Sequence, residues 1–264
     1  MTLVGETTTV FGERRERARS LGARYDFAQD PLRLYLAVLD AQERTFERAQ
    51  HDRPAADDLP GYVVRVGLPG VMEAAVAAGT ETLREAVLLR FHDGDLEGVI
   101  EAWLRGEPLA ATDQFLVRAS ASPVLEALPE LAASLRVIDR DARHCPRCGG
   151  LPQVAVFGDS GEALVTAQRK LICSRCATSW SYSRMTCASC GENAGAKLPI
   201  LADIESLPHL RIDACEICRH YLITVDQHRE PAAVPLVDEL AAIPLDLAAA
   251  ERGYTKIVPN LMGF

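Results

Sequence analysis

All eight cysteines of this 264-residue chain lie between residues 145 and 218, as four Cys-x-x-Cys pairs. The pairs are Cys145/Cys148, Cys173/Cys176, Cys187/Cys190 and Cys215/Cys218, separated by 24, 10 and 24 residues. Two intervening residues make a turn short enough to bring both sulfurs of a pair onto one ion at about 2.3 Å. Two such turns, joined by an excursion long enough for a small antiparallel ribbon, enclose an ion from opposite sides. Each half of the long-short-long pattern therefore holds the donors for one tetrahedral tetrathiolate site. Closing a shorter loop costs less entropy. The expected partition is local: Cys145, Cys148, Cys173 and Cys176 on one ion, and Cys187, Cys190, Cys215 and Cys218 on the other. The interleaved alternative would pair the first knuckle with the third.

The leading knuckle of each half ends in glycine, Gly149 and Gly191, where a positive φ turns backbone N–H groups toward the sulfurs. The trailing knuckles end in Ala177 and Arg219 instead. Strands are expected at 154–157 and 164–171 around a turn at 158–161, and again at 197–202 and 210–213. The repeat reads as two rubredoxin-like or zinc-ribbon-like units. Trp180, Tyr182 and Tyr221 follow trailing knuckles, where packing is the expected role. His144 and His220 flank the cysteine region, but eight thiols already close two sites, so both imidazoles are expected outside the ligand sets.

The remaining sequence is helical in pattern. Charged residues from Glu13 to Phe27, after a tail over residues 1–12, lead to Asp30-Pro31, which reads as a helix start. The next helix runs to about His51, followed by a loop over 52–61 and helices near 68–78, 80–91 and 96–104. A short helix at 113–118 and another opening at Ser122-Pro123 and reaching Asp139 complete this part. The tail from Val234 is helical, interrupted at Pro244 and closed near Gly253. The expected class is α+β. Its four parts are an all-α domain (1–140), two metal-binding units (141–184 and 185–230) and a C-terminal helical tail (231–264).

Charge argues against the commonest use of a zinc ribbon. The formal net charge is −9, and two tetrathiolate sites make it more acidic still. Residues 1–140 carry 16 Arg/Lys against 23 Asp/Glu, and residues 141–264 carry 12 against 14. Nucleic-acid binding needs a basic surface that displaces counterions, so none is expected. No run of 18 uninterrupted apolar residues is present, so no membrane insertion is expected. The first residues show no basic stretch followed by an apolar one, so a cytoplasmic location is expected. Thiols stay reduced there, which favours metal over disulfides.

The chain resembles the formate dehydrogenase accessory protein family FdhE. The resemblance rests on Cys145-Pro-Arg-Cys148-Gly149-Gly150-Leu151-Pro152 and on Cys173-x-x-Cys176-x-x-x-Trp180-x-x-x-Arg184-x-x-Cys187-x-x-Cys190. It continues through Cys215-x-x-Cys218-x-x-Tyr221-Leu222, Asp238-Glu-Leu240, Leu245-Asp246-Leu247, Glu251-x-Gly253-Tyr254 and Asn260. Ile223 stands where the family often has lysine. The resemblance implies a non-enzymatic assembly factor that binds the catalytic subunit of formate dehydrogenase and holds two metal ions, iron of rubredoxin type or zinc. Trp180 and Arg184, between the two units, are the candidate partner-binding residues. The competing readings are a rubredoxin-type electron-transfer protein and a nucleic-acid-binding zinc ribbon.

Overall fold

The computed structural model describes residues 9–136, 141–158 and 168–264. Thr9 opens the first helix: its hydroxyl accepts from the Gly12 N–H at 3.1 Å, so α1 (Val10–Arg24) begins inside the expected tail. The central helix is α2 (Gln29–Asp52), and α1, α4 (Leu68–Ala78) and α7 (Ala111–Ala127) all pack on it. Helices α5 (Glu81–Asp93) and α6 (Leu96–Arg105) start where Thr80 and Asp95 accept hydrogen bonds from the third residue on.

Two further helix boundaries differ from the sequence expectation. The end of the expected loop at 52–61 is already helical. There α3 (Leu59–Tyr62), a π turn (Val63–Gly67) and α4 form one 20-residue rod with mean hydropathy 1.2. By length and composition this rod could cross a membrane; its Leu68, Val71 and Ala75 are buried against Leu34, Val38 and Leu116 of α2 and α7. The second difference is Pro123, which lies inside α7 rather than opening a helix. Proline there takes the donor from the Ala119 carbonyl, and the buried Gln42 side chain replaces it, donating from Nε2 at 3.1 Å. The break falls instead at Leu128, and α8 (Pro129–Ser134) starts with proline in its first turn.

The cysteine region forms one mixed sheet. Unit one supplies β1 (Pro152–Gly158), β2 (Gln168–Cys173) and β3 (Ser179–Ser181), and unit two supplies β4 (Ile200–Ala202), β5 (Leu210–Ala214) and β6 (His220–Asp226). Their order is β3-β2-β1-β6-β5-β4, antiparallel within each unit and parallel where β1 meets β6. Ala155 pairs with Thr224 and Val156 with Val225, so first and last strands of the repeat make the junction. The expected turn at 158–161 and the start of the 164–171 strand fall largely outside the described residues. The tail forms α9 (Pro235–Asp238), α10 (Ile243–Glu251), with Pro244 in its first turn, and β7 (Thr255–Lys256), which extends the sheet beside β6.

The largest core joins helix, sheet and tail: Leu21, Leu32 and Leu39 pack with Ile212, Ile223, Val225, Val237 and Leu245. Ile223 is fully buried there. Of the four tail leucines, Leu240 and Leu245 are buried, Leu236 packs at the core margin and Leu247 is exposed. Buried charge crosses the same boundary. Arg17 of α1 donates from Nε to both oxygens of Asp238 at 3.1 and 3.0 Å, and His209 Nε2 lies 2.8 Å from Oδ1. The Val234 N–H caps the second oxygen at 2.7 Å. Removing one partner of a buried pair leaves the other charge uncompensated. Asp238→Ala is expected to lower unfolding free energy by about 3–5 kcal/mol, measured by urea denaturation at fixed metal content.

Candidate metal centres

Each knuckle is built the same way. The first cysteine N–H of each pair bonds a carbonyl beyond the turn: Cys145 to Gly150 at 2.8 Å, Cys173 to Thr178 at 3.0 Å, Cys187 to Glu192 at 2.8 Å and Cys215 to His220 at 3.0 Å. The residue after the second cysteine is left-handed in all four: Gly149 (φ 71°), Ala177 (φ 53°), Gly191 (φ 82°) and Arg219 (φ 59°). Alanine and arginine thus adopt the geometry that glycine supplies in the leading knuckles. Backbone N–H groups then reach sulfur: Gly150 to Cys148 at 3.4 Å, Arg175 to Cys173 at 3.3 Å and Ser189 to Cys187 at 3.4 Å.

The sulfurs converge as local closure requires. Cys145, Cys148, Cys173 and Cys176 form one group and Cys187, Cys190, Cys215 and Cys218 the other, with the Sγ atoms of each group within 4.8 Å of one another. Across the knuckles, Cys145 lies 3.7 Å from Cys176 and Cys148 3.4 Å from Cys173; the second group repeats this with 3.7 Å for both cross pairs. Four sulfurs at this separation suit a tetrahedral ion at about 2.3 Å, zinc or iron. Hydrogen bonding among the sulfurs of the first group draws Cys145 well below the ordinary thiol value and pushes Cys148 and Cys173 above it.

Histidine stays outside both groups. His144 Nδ1 meets Asp141 at 3.2 Å, while His220 contributes its carbonyl to the last knuckle. Trp180 is half-buried on β3, donates from Nε1 to the Ala142 carbonyl at 2.9 Å and packs against the core around the first group. Arg184 is exposed and lies over the Phe157 ring at 5.1 Å; among the described residues it makes no ion pair. It stands on the rim of a cleft of about 370 Å³ that Arg169, Arg211 and Asp213 also line. Arg169 ties the linker to the sheet, donating to the Ser183 and Thr186 carbonyls at 3.2 and 3.0 Å and pairing with Asp213 at 3.1 Å. Burial lowers its basicity, and the Asp213 charge opposes that.

Sequence reasoning missed two supports of these centres. One is β6, whose run His220-Tyr-Leu-Ile-Thr-Val-Asp226 carried the signal in its β-branched residues. The other is a buried polar chain beneath the sheet. Arg118 reaches Gln153, Gln153 donates to Glu239 at 2.8 Å, and Lys256 bridges Glu239 and Asp246 at 2.7 and 3.1 Å. Tyr221 completes it, donating to Asp246 at 2.8 Å. Burial pulls Arg118 down to about 10, opposed by the Glu239 and Cys173 charges. Its signal was a set of carboxylates inside the apolar tail.

Residues 185–262 match the family described as "FdhE, C-terminal domain". An FdhE homologue from Aquifex aeolicus is 34% identical over 121 residues, 46% of this chain and 42% of the relative. One from Pseudomonas aeruginosa is 32% identical over 213 residues, 74% of this chain and 63% of the relative. The family model and both relatives support the FdhE family for this chain. These alignments span between about two fifths and just under two thirds of the relatives' lengths. The crystal structure of the FdhE protein from Pseudomonas aeruginosa shares the fold over 96% of this chain and 95% of that one, with a TM-score of 0.67 at 23% identity. The shared fold thus includes the helical part as well as the region that carries the two tetracysteine groups of this chain.

The four left-handed positions generate a test. A non-glycine residue there carries about 1–2 kcal/mol of steric cost, which glycine removes at some entropic cost. Ala177→Gly is expected to raise stability by up to about 1 kcal/mol. Arg219→Gly should gain less, because its guanidinium stacks on Tyr254 at 4.0 Å and pairs with Glu216 at 2.7 Å. Denaturant midpoints at fixed metal content check both.

Proposed function

We propose that this chain is an accessory factor in the biogenesis of formate dehydrogenase, which binds the catalytic subunit in the cytoplasm before export or final assembly. Similarity to the FdhE family, with two tetracysteine groups built into one continuous sheet, carries the reading. A factor that holds another folded protein needs a surface that keeps its shape, and metal-closed knuckles provide one. In this reading the chain performs no catalysis, enters no membrane and binds no nucleic acid, in keeping with its net charge of −9.

The groups would hold two ions, iron of rubredoxin type or zinc, each by four thiolates: Cys145, Cys148, Cys173 and Cys176, then Cys187, Cys190, Cys215 and Cys218. Such an ion supplies cross-linking and, if iron, a one-electron couple. The working parts are the all-α domain (1–140), the two units (141–184 and 185–230) and the tail (231–264). Partner contact is assigned to Arg184, exposed and without an ion pair among the described residues, with Trp180 fixing the sheet edge beside it. A rubredoxin-type electron-transfer role is the second reading, favoured by the exposure of Cys190.

Arg184→Ala is expected to keep both ions and the fold while weakening capture of the catalytic subunit by about tenfold, as loss of an interface arginine does. Cys→Ser changes should lower metal content and stability first. Metal analysis, pull-down and formate dehydrogenase activity in a strain lacking the protein are read together. Undiminished capture by Arg184→Ala removes the contact assignment. Full enzyme activity in the deletion strain overturns the functional reading.

A further inference from the structure

Two groups with one spacing sit in unlike surroundings. The four cysteines of the first are 1–2% exposed and belong to the core of Ile100, Trp103, Leu125, Leu128 and Leu131. Side chains lock this core over them. Arg175 donates to the Trp103 and Leu104 carbonyls at 2.6 and 3.1 Å and stacks on Trp103 at 4.9 Å. Arg136 donates to the Pro146 carbonyl within the first knuckle at 3.1 Å. Reaching these sulfurs therefore requires α6, α7 and α8 to move off the sheet.

Among the described residues, the second group has no such cover. Cys190 is exposed and Cys218 partly so, while Cys187 and Cys215 face inward. None of the four belongs to a buried apolar cluster, and the neighbouring Met185 and Ile217 are 58% and 56% exposed. Among the described residues, two side chains hold its leading knuckle: Arg143 donates to the Ser189 carbonyl at 2.8 Å and the Tyr182 hydroxyl to the Cys187 carbonyl at 3.1 Å. Opening on the Cys190 side leaves the helical core in place, and of the knuckle's own residues Ala188 is held in the small cluster of Ala155, Leu171 and Leu222. Segments with few buried contacts open far more often than the global fold does.

We infer that the two groups have separate roles: the first is a sealed structural staple, and the second is an exchange centre for a thiophilic divalent ion, entered at Cys190. An ion leaves the second group to a competing ligand while its thiolates take up protons from water, and the remaining fold stays intact. The Cys190 sulfur is then the thiol open to soft electrophiles. This rests on burial and packing alone and holds whether or not the chain serves formate dehydrogenase.

The test uses the full chain loaded with two zinc ions. A chromogenic chelator is expected to withdraw one equivalent at least about tenfold faster than the other, as the difference in local opening requires. Iodoacetamide, added with the chelator, alkylates by forming an S–C bond as iodide leaves. Peptide mapping should find Cys190 labelled first, then its three group partners, with Cys145, Cys148, Cys173 and Cys176 protected while the helical circular dichroism is unchanged. Cys190→Ser should retain one ion and that protection. Equal release rates, earlier labelling of the first four cysteines, or loss of both ions in Cys190→Ser would each overturn the assignment.

Discussion

Convergence of four sulfurs, repeated twice within 4.8 Å, is the constraint that the rest of the structure serves. A tetrathiolate site requires each knuckle to aim two side chains at one point, and this requires the residue after the second cysteine to turn left-handed. All four positions do so, including Ala177 and Arg219, which bear side chains. Structural metal binding contributes on the order of 10 kcal/mol in small peptides at neutral pH, enough to sustain that backbone strain. The strands between knuckles are short, and β3 and β4 have three residues each. Such ribbons are stable only when joined and covered.

The covering is done by elements far away in sequence. Unit one faces α6–α8, and the sheet junction lies over α1, α2 and the tail. Burying the sheet also buried its charges. Asp238 collects Arg17, His209 and a backbone N–H, and Lys256 sits between two carboxylates. Such pairs add little over apolar packing but penalise any docking that leaves one member alone. They fix how helices, sheet and tail meet. The same packing accounts for the difference between the two centres, because among the described residues the helical core takes in the first four cysteines and not the second four.

Much of this was legible in the sequence. The 24–10–24 spacing determined the grouping of the cysteines, since loop closure and turn length are local properties. Thr80 marked a helix start for the same reason, as caps act over three residues. The acidic balance argued against nucleic acid as a partner without reference to fold. Other features depended on contacts across the chain. Pro123 signalled a helix start, and only the Gln42 side chain from α2 made it acceptable inside α7. The loop expected at 52–61 gave way to helix at Leu59 because the rod it opens is buried against α2 and α7. The strand β6 was passed over because nothing local distinguishes a central strand from any β-branched run; its parallel pairing with β1 is a tertiary choice. Identical knuckle spacing likewise implied identical sites. Burial is a property of the whole fold, so only the tertiary structure decided that Cys148 is sealed and Cys190 is open to solvent.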